Sequence, residues 1–224
     1  MNIAVIVFAG KGTRIHSRIP KQFIQVKGHE IVAYAISTFN RHPLIDEIVL
    51  VTSKEYVAYT QNLVNQYHFN KVINVVEGGE NRQDSVRNGL LATKGNSNDY
   101  VLIHDGDRPL VSDVIITRCI RELDSVDACT VAIKSKEALS EVKNLGRKFH
   151  QNGVDYDIQT PQCFKLGLIS DAHNRFKGES YPDDASLILE MGKEVKLIKG
   201  DKLNFKVTTD QDLDYLKEII PDYQ

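Results

Sequence analysis

Glycines and cations that could bind a phosphate lie close together near the start of the chain. Gly10 and Gly12 fall between Ala9 and Arg14, and Lys21 follows seven residues after Arg14. Glycines let backbone N–H groups approach a phosphate closely, and the two cations supply positive charge. The segment lacks the third glycine of the GxGxxG dinucleotide fingerprint, and the chain has no GxxxxGK[ST] P-loop. It therefore predicts a phosphate-binding loop of another kind, with a plain glycine turn into a helix as the alternative.

A second group of polar residues follows the apolar run 100–103, which we predict to be a buried strand. Asp105 and Asp107 stand two residues apart just after it. Two carboxylates so placed can hold a divalent metal beside nucleotide phosphates, because Mg²⁺ takes one or two carboxylates together with phosphate oxygens. The alternative is an Asp/Gly turn in which Arg108 pairs locally. His104 is expected to be a structural residue.

Glycines and a serine follow another apolar run, in segment 77–85. Gly79 and the glycine before it can bring the backbone close to a flat or anionic ligand, and Ser85 can contact that ligand or cap the next helix. Later in the chain, Lys206 lies in a pattern that predicts a strand, so its ammonium group would point either to solvent or into a cleft. Thr209 or Asp210 is expected to cap the last helix, with Asp212 in its first turn.

These loops are expected to connect the elements of an α/β fold with a doubly wound, mostly parallel sheet. Short β-branched runs alternate with segments whose apolar residues recur every three or four positions, which is typical of strands joined by crossover helices. Ligands of such sheets bind beyond the carboxyl ends of the strands. The predicted strands are 3–8, 47–52, 72–77, 100–103, 128–133, 195–198 and 205–207, and the predicted helices are 31–39, 55–67, 83–92, 114–123, 166–176, 183–191 and 211–220.

The periodic pattern lapses in segment 134–157, where charged residues leave little to bury. We interpret this segment as an arm that protrudes from the domain. No break in composition, repeat or low-complexity stretch divides the rest, so the sequence predicts one domain over residues 1–224.

The composition limits the classes of partner. The chain has 224 residues, 42% of them apolar, with 28 basic and 30 acidic side chains and a net charge of −2. Near-neutrality disfavours a nucleic acid as partner. The early apolar run 3–9 is far shorter than the roughly 20 residues that a membrane span requires, and no basic region precedes it. We expect a cytoplasmic protein that does not enter a membrane.

Cysteine usage supports the same compartment. Cys119, Cys129 and Cys163 are odd in number and show no CxxC spacing. This argues against a disulfide framework or a structural zinc site. The three thiols are expected to be ordinary small apolar residues of a protein in a reducing cytoplasm.

Taken together, the loops resemble those of a cytidylyltransferase family that includes the enzymes acting on 2-C-methyl-D-erythritol 4-phosphate and on ribitol 5-phosphate. Singly the segments are weak signals, but their order along nearly the whole chain makes the resemblance specific. The segments are AGKGTR (9–14), PKQF (20–23), EGGENRQDS (77–85), HDGDRP (104–109), QTPQCF (159–164), PDDAS (182–186) and NFKVTTDQDL (204–213).

The resemblance implies a Rossmann-like nucleotidyltransferase that transfers CMP from CTP to a small polyol phosphate, releases pyrophosphate and uses Mg²⁺ or another divalent cation. It also implies that the arm 134–157 packs against a second copy in a homodimer and completes that copy's active site. By role, the implied residues are Ala9, Gly10, Gly12, Gly79, Glu80 and Ser85 for CTP, Arg14, Lys21 and Lys206 for its phosphates, Asp105 for the metal, and Arg108, Ser135 and Thr160 for the acceptor.

Some positions depart from the family pattern, chiefly on the acceptor side. Asn152 stands where the family usually has an arginine that reaches across the dimer, and Lys134-Ser135 replaces the usual Asp-Thr. Asp107 replaces a small or neutral residue in the metal loop. The CTP side therefore resembles the family more closely than the acceptor side does.

Several functions remain open at this point. The RQDS and DDAS segments favour 2-C-methyl-D-erythritol 4-phosphate, an isoprenoid precursor, as the acceptor. Asn152 favours ribitol 5-phosphate or another polyol phosphate used in a cell-surface polymer. Asp105-Gly106-Asp107 can also be interpreted as the DxD motif of a nucleotide-sugar glycosyltransferase, which would not require the early Lys/Arg loop. The last alternative is a nucleotide-binding module without catalytic activity.

Overall fold

The computed structural model describes residues 1–10, 12, 14–17, 19–135, 148–151 and 154–222. Its strands are β1 (Asn2–Val7), β2 (Gln25–Val26), β3 (His29–Glu30), β4 (Glu47–Thr52), β5 (Val72–Glu77), β6 (Tyr100–Asp105), β7 (Ala128–Lys134), β8 (Lys148–Gln151), β9 (Val154–Lys165) and β10 (Lys196–Lys199). Its α-helices are α1 (Ile31–Arg41), α2 (Val57–Gln66), α3 (Arg82–Leu91), α4 (Asp113–Glu122), α5 (Leu166–Arg175), α6 (Asp184–Glu190) and α7 (Asp210–Ile219). Short 3₁₀ helices cover Lys21–Phe23 and Lys54–Tyr56.

The main sheet is mixed and mostly parallel, with the strand order β10-β7-β9-β6-β1-β4-β5 and with β8 paired to β9. β1 lies parallel to β4 and β6, and β10 lies parallel to β7. β9 is antiparallel to both of its neighbours, β6 and β7. The predicted α/β class and mostly parallel sheet are confirmed.

Helices cover both faces of this sheet. Side chains of β1 alternate between two apolar clusters, with Ala4 and Ile6 on one face and Ile3 and Val5 on the other. The first cluster includes residues of α1, α2 and α4, and the second includes residues of α3, α5 and α6. Burial on both faces explains why the central strands are apolar throughout. A third cluster packs α7 against α1 and the β2–β3 hairpin.

One strand prediction was wrong, and one long strand was not predicted. Segment 205–207 is a loop that closes on the metal-loop segment, because the Val207 N–H donates to the Asp107 carbonyl at 2.9 Å. β9 occupies the later part of segment 134–157 and continues to Lys165, a range in which no strand was predicted. The positions Gln159, Thr160 and Gln162 are buried in this strand although they are polar. The rest of the predicted arm, 136–147 and 152–153, lies outside the described residues.

The three cysteines meet in the core between β7, β9 and α4. Cys119, Cys129 and Cys163 are all free thiols with no exposed surface. Their sulfur atoms lie within 4.8 Å of one another. Among the residues that the structure describes, no helix has the length and apolarity to cross a membrane.

Candidate active site

A cavity of about 580 Å³ lies beyond the carboxyl ends of β1, β5 and β6, where the sequence predicts ligand binding. The predicted site residues that line it are Ala9, Gly10, Lys21, Gly79, Glu80, Ser85, Asp105 and Lys206. A larger cavity, of about 1570 Å³, lies along β10 and the end of β7 and is lined in part by Ser135. The smaller cavity is the candidate active site because the glycine loops and the convergent charges are there.

The glycine loops form one wall of the cavity by packing tightly against each other. A Cβ atom on Gly78 would lie 2.5 Å from the Cβ of Ala9 and 2.8 Å from Ser85 Oγ, which leaves no room for a side chain. The Gly79 N–H donates to Ser85 Oγ at 3.0 Å, and that hydroxyl donates to the Asn81 carbonyl at 2.8 Å. A Cβ on Gly10 would meet nothing within 4 Å, so the backbone there is open to a ligand.

Ser85 does not cap α3, although the sequence allowed that role. The cap is Asn81, whose side-chain oxygen accepts from the Asp84 N–H at 2.9 Å. The hydroxyl of Ser85 is therefore engaged with the glycine loop and fixes its shape. Of the two candidates for the cap of the last helix, Thr209 caps α7, and it also forms a capping box with Asp212.

A second part of the cavity lining, here called the charged wall, consists of Lys21, Asp105, Asp107 and Lys206. Asp105 is 3% exposed. Arg82 Nε lies 3.1 Å from its Oδ1, and Lys206 Nζ lies 3.1 Å from its Oδ2. Arg108 Nε is 3.5 Å from the same Oδ2. The backbone N–H of Asp105 donates to Thr160 Oγ1 at 3.0 Å. Three cations therefore surround this one buried carboxylate, and two of them also pair with other acids, Lys206 with Asp107 and Arg82 with Asp184.

Asp107 forms the second half of the charged wall. Its Oδ2 lies 2.6 Å from Lys21 Nζ and its Oδ1 lies 3.4 Å from Lys206 Nζ. Lys21 Nζ also donates to the Val207 carbonyl at 2.6 Å. Two acidic and two basic side chains therefore alternate along the cavity, in the order Lys21, Asp107, Lys206, Asp105.

Arg82 extends this charged row into the protein interior. Its Nη1 lies 2.7 Å from Asp184 Oδ2, and Asp184 Oδ1 lies 3.0 Å from His173 Nε2. Burial alone would raise the pKa of Asp184, but the charge of Arg82 and the hydrogen bond from His173 outweigh it and lower the pKa to about 2. Burial would lower the pKa of the Arg82 guanidinium, but Asp184 and Asp105 together raise it.

Sequence reasoning did not single out Arg82 or Asp184 as site residues. They are 102 positions apart, and each lies in a segment that was noted for other residues, EGGENRQDS and PDDAS. No local spacing indicates that an arginine at the start of α3 meets an aspartate at the start of α6. The consecutive acids Asp183-Asp184 were the available signal, since one of them caps α6 and the other is left to bind a cation.

Other predicted residues lie beside the cavity rather than on its lining. Gly12 has a φ of +62°, and a Cβ there would lie 2.9 Å from Lys21 Cγ, so the loop closes over that lysine. Arg14 is exposed. Arg108 is 5% exposed, and its Nη1 donates to the Asn204 carbonyl at 2.8 Å. Their roles, like that of Ser135, stay predictions.

Thr160 contacts both Asp105 and His104 from the neighbouring strand β9. Thr160 is 2% exposed, and its Oγ1 lies 3.0 Å from His104 Nδ1. Burial lowers the pKa of His104 to about 4, because the interior disfavours its charged form. The imidazole is therefore neutral at physiological pH. Asn152, the departure noted on the acceptor side, lies outside the described residues.

Asp105 and Asp107 offer the oxygen ligands that Mg²⁺ prefers, and both line the cavity. Mg²⁺ commonly binds one or two carboxylates and completes its shell with water and substrate phosphates. The buried Oδ1 of Asp107 accepts no hydrogen bond from any described residue, although Lys206 Nζ lies 3.4 Å from it. The donor set therefore fits a divalent cation bound together with a phosphate ligand.

Comparison with known proteins identifies the family. The model of the family described as "IspD: 2-C-methyl-D-erythritol 4-phosphate cytidylyltransferase" matches residues 2–221. The proteins of that name from Clostridium novyi (strain NT) and Clostridium kluyveri (strain NBRC 12016) are 39% and 41% identical to this chain. Each alignment covers 95% of this chain and 93% of the relative.

Solved structures of the family share the fold. The 4-diphosphocytidyl-2C-methyl-D-erythritol synthase of Anaerococcus prevotii DSM 20548 superposes with a TM-score of 0.80 at 28% identity, over 97% of this chain and 94% of that one. The IspD structure of Francisella tularensis gives a TM-score of 0.74 at 25% identity, over 97% and 98% of the two chains. The predicted class of enzyme, a nucleotidyltransferase, is confirmed. The chain belongs to the IspD family of 2-C-methyl-D-erythritol 4-phosphate cytidylyltransferases.

Proposed function

We propose that this chain transfers CMP from CTP to 2-C-methyl-D-erythritol 4-phosphate and releases pyrophosphate. The observation that carries the proposal is the cavity itself, in which a wall of closely packed glycine loops and a wall of lysines and aspartates line the same space. The first wall suits a flat base and a ribose, and the second suits a triphosphate. Family membership supports the same reaction and the same acceptor.

In this proposal the nucleoside lies against the backbone of Ala9, Gly10 and Gly79. Glycine at positions 78 and 79 keeps that surface flat, and Ser85 holds it in place through the Gly79 N–H. Glu80 lies on the same edge of the cavity. The triphosphate then extends toward Lys21 and Lys206, which line the same cavity.

The chemical step is an in-line displacement at the α-phosphorus of CTP. An oxygen of the acceptor phosphate forms a bond to that phosphorus, the bond from phosphorus to the bridging oxygen of the β-phosphate breaks, and pyrophosphate leaves with the electron pair. Both reactants are anions, so the protein must neutralise and align them. Lys21 and Lys206 would stabilise the crowded phosphorus centre, and Arg14 would contact the departing pyrophosphate.

A divalent cation, which we propose to be Mg²⁺, would be held by Asp105 together with phosphate oxygens. Such a cation would neutralise part of the negative charge of the phosphates and would hold their oxygens in a fixed orientation. Arg82 and the Asp105 N–H bond to Thr160 fix the carboxylate before any ligand binds. The protein's own contribution is a binding site that needs little rearrangement.

The acceptor is proposed to lie near Arg108, Thr160 and the end of β7, with the remaining contacts supplied by a second copy of the chain. Lys134 is exposed at the end of β7, and the Ser135 N–H donates to the Asp155 carbonyl at 2.8 Å. We propose that the arm 134–157 makes this homodimer. Light scattering coupled to gel filtration tests the proposal, and a monomer at assay concentration would refute it.

The reaction is tested by pyrophosphate release with CTP, Mg²⁺ and either 2-C-methyl-D-erythritol 4-phosphate or ribitol 5-phosphate. Asn152, which stands in place of the family's usual arginine, is the specific feature that favours including the second acceptor. We expect turnover with the methylerythritol compound, and a Lys21→Ala variant is expected to lose at least 100-fold in rate. Turnover with ribitol 5-phosphate alone would overturn the assigned acceptor, and near-normal turnover by the variant would overturn the assigned role of Lys21.

A further inference from the structure

The two lysines proposed to bind the triphosphate are already paired with a carboxylate of the protein. Asp107 Oδ2 is 2.6 Å from Lys21 Nζ, and Asp107 Oδ1 is 3.4 Å from Lys206 Nζ. One carboxylate therefore spans two ammonium groups, as a nucleotide phosphate would. All three side chains line the same cavity.

Hydrogen bonds to the backbone of Val207 hold Lys21 and Asp107 in place, in addition to their ion pair. The Val207 N–H donates to the Asp107 carbonyl at 2.9 Å, while the Val207 carbonyl accepts from Lys21 Nζ at 2.6 Å. The loop that carries Lys206 is thus attached to both members of the Lys21–Asp107 pair. The side chains of Lys21 and Asp107 are only 10% and 12% exposed, so solvent screens their interaction weakly.

A buried carboxylate at this place has opposite effects on a metal and on a free nucleotide. It repels a triphosphate that approaches the same two lysines, because like charges interact strongly in a partly buried cavity. It attracts a divalent cation, because it is a carboxylate on the lining of the cavity whose Oδ1 has an ion-pair contact with Lys206 at 3.4 Å but accepts no hydrogen bond from the described residues. Asp105 differs, since it is surrounded by Arg82, Arg108 and Lys206.

We propose that Asp107 couples the two ligands, so that its carboxylate holds Lys21 and Lys206 when no metal is bound and becomes a second carboxylate ligand when the metal arrives with CTP. The lysines then pair with phosphates. This inference rests on the proposed function, because it takes CTP as the nucleotide. It makes the chain unable to bind CTP tightly without a divalent cation.

The test is calorimetric titration of CTP, with excess EDTA and with Mg²⁺, into the wild-type chain and into Asp107→Asn. The asparagine keeps the size of the side chain and removes its charge. We expect the wild type to bind CTP at least tenfold more tightly with Mg²⁺ than without it. Asp107→Asn should bind CTP about tenfold more tightly than the wild type in EDTA, and should gain little from Mg²⁺.

Asp214→Asn is the matched control. Asp214 forms an exposed pair with Lys217 at 2.8 Å on α7, so the variant also removes a carboxylate from a lysine, but outside the cavity. Its CTP affinity should equal that of the wild type under both conditions. Melting temperatures of both variants show whether each remains folded.

The affinity of the chain for a metal ion is a second measurement, and it does not depend on how tightly CTP binds in EDTA. Electron paramagnetic resonance of free Mn²⁺, titrated in the presence of CTP, reports how tightly the metal is held. We expect Asp107→Asn to bind Mn²⁺ at least fivefold more weakly than the wild type, and Asp214→Asn to be unchanged. Unchanged Mn²⁺ binding by Asp107→Asn would exclude its carboxylate as a ligand.

The outcomes separate this inference from the proposed function. Equal or weaker CTP binding by Asp107→Asn in EDTA would refute the coupling, even if the wild type turns over. Tighter binding with weaker metal capture would support it, even if the acceptor proved to be another polyol phosphate. If the folded wild type failed to bind CTP with Mg²⁺, both the coupling and the proposed function would be wrong.

Discussion

The buried pair of Arg82 and Asp184 allows a quantitative prediction for Asp184→Asn. The substitution keeps the shape of the side chain but removes the charge that lies 2.7 Å from Arg82 Nη1. Asp184 is 1% exposed, so no water replaces the lost interaction. The amide also replaces a carboxylate oxygen that lies 3.0 Å from His173 Nε2.

The size of the effect follows from the pKa of Asp184, which falls from an ordinary value near 3.8 to about 2 in the folded chain. At about 1.4 kcal/mol for each pH unit, the folded state stabilises the ionised carboxylate by about 2–3 kcal/mol. Removal of one member of a buried ion pair typically costs about 3–5 kcal/mol. Both routes give a loss of about 3 kcal/mol in the free energy of unfolding.

The assay is thermal unfolding followed by circular dichroism. For a domain of this size, 1 kcal/mol shifts the melting temperature by about 2–4 °C, so we expect Asp184→Asn to melt about 6–12 °C below the wild type at pH 7. Asp171→Asn, an exposed change on α5, should melt within about 2 °C of the wild type. A melting temperature for Asp184→Asn as high as that of this control would refute the reasoning.

The dependence on pH gives a second check of the same prediction. Because the pKa of Asp184 is lowered by folding, its stabilisation is present above the unfolded value near 3.8 and is lost as the pH falls toward 2. The difference in stability between wild type and Asp184→Asn should therefore be constant between pH 5 and pH 8. It should narrow below pH 4, and a difference that stayed constant down to pH 2 would show that charge is not its origin.

Three further predictions concern the cavity. Gly78→Ala places a Cβ 2.5 Å from that of Ala9, so KM for CTP should rise at least tenfold with little change in kcat, measured by initial rates of pyrophosphate release. Lys206→Gln removes the cation 3.1 Å from Asp105 Oδ2 and should lower kcat at least 100-fold, while an unchanged circular dichroism spectrum shows that the fold is retained. Thr160→Val leaves the Asp105 N–H without its acceptor and should lower the free energy of unfolding by about 1–3 kcal/mol, measured by urea titration. An unchanged free energy of unfolding would show that water satisfies that donor.

The central strands and the glycine loops could be predicted because their signals are local. A strand buried on both faces is apolar at nearly every position, as in β4 (Glu47–Thr52), where prediction and structure agree at both ends. The glycine segment that starts at Ala9 and the Asp105-Gly106-Asp107 segment follow such strands directly. For these parts, a few consecutive residues determine both the element and the position of the polar groups.

β9 could not be predicted because its polar residues are satisfied by distant partners. Gln162 accepts from the Asp184 N–H at 2.9 Å and donates to Thr130 Oγ1 at 3.0 Å, so a polar side chain is stable in the core. The same limit applies to Lys206, because the sequence does not show whether its side chain points to solvent or into a cleft. Its orientation follows from Asp105, a residue 101 positions earlier.

The buried thiol cluster of Cys119, Cys129 and Cys163 makes the opening of the central layer measurable without an added label. A thiol reagent can reach these sulfurs only in molecules where β7, β9 and α4 have separated, since all three residues have no exposed surface. The rate of modification under native conditions therefore reports the free energy of that opening. Thr160 of β9 accepts a hydrogen bond from the Asp105 N–H, so ligands that stabilise the Asp105 segment should slow modification of the thiols. The reaction rate of the same three sulfurs then reports whether the active site is occupied.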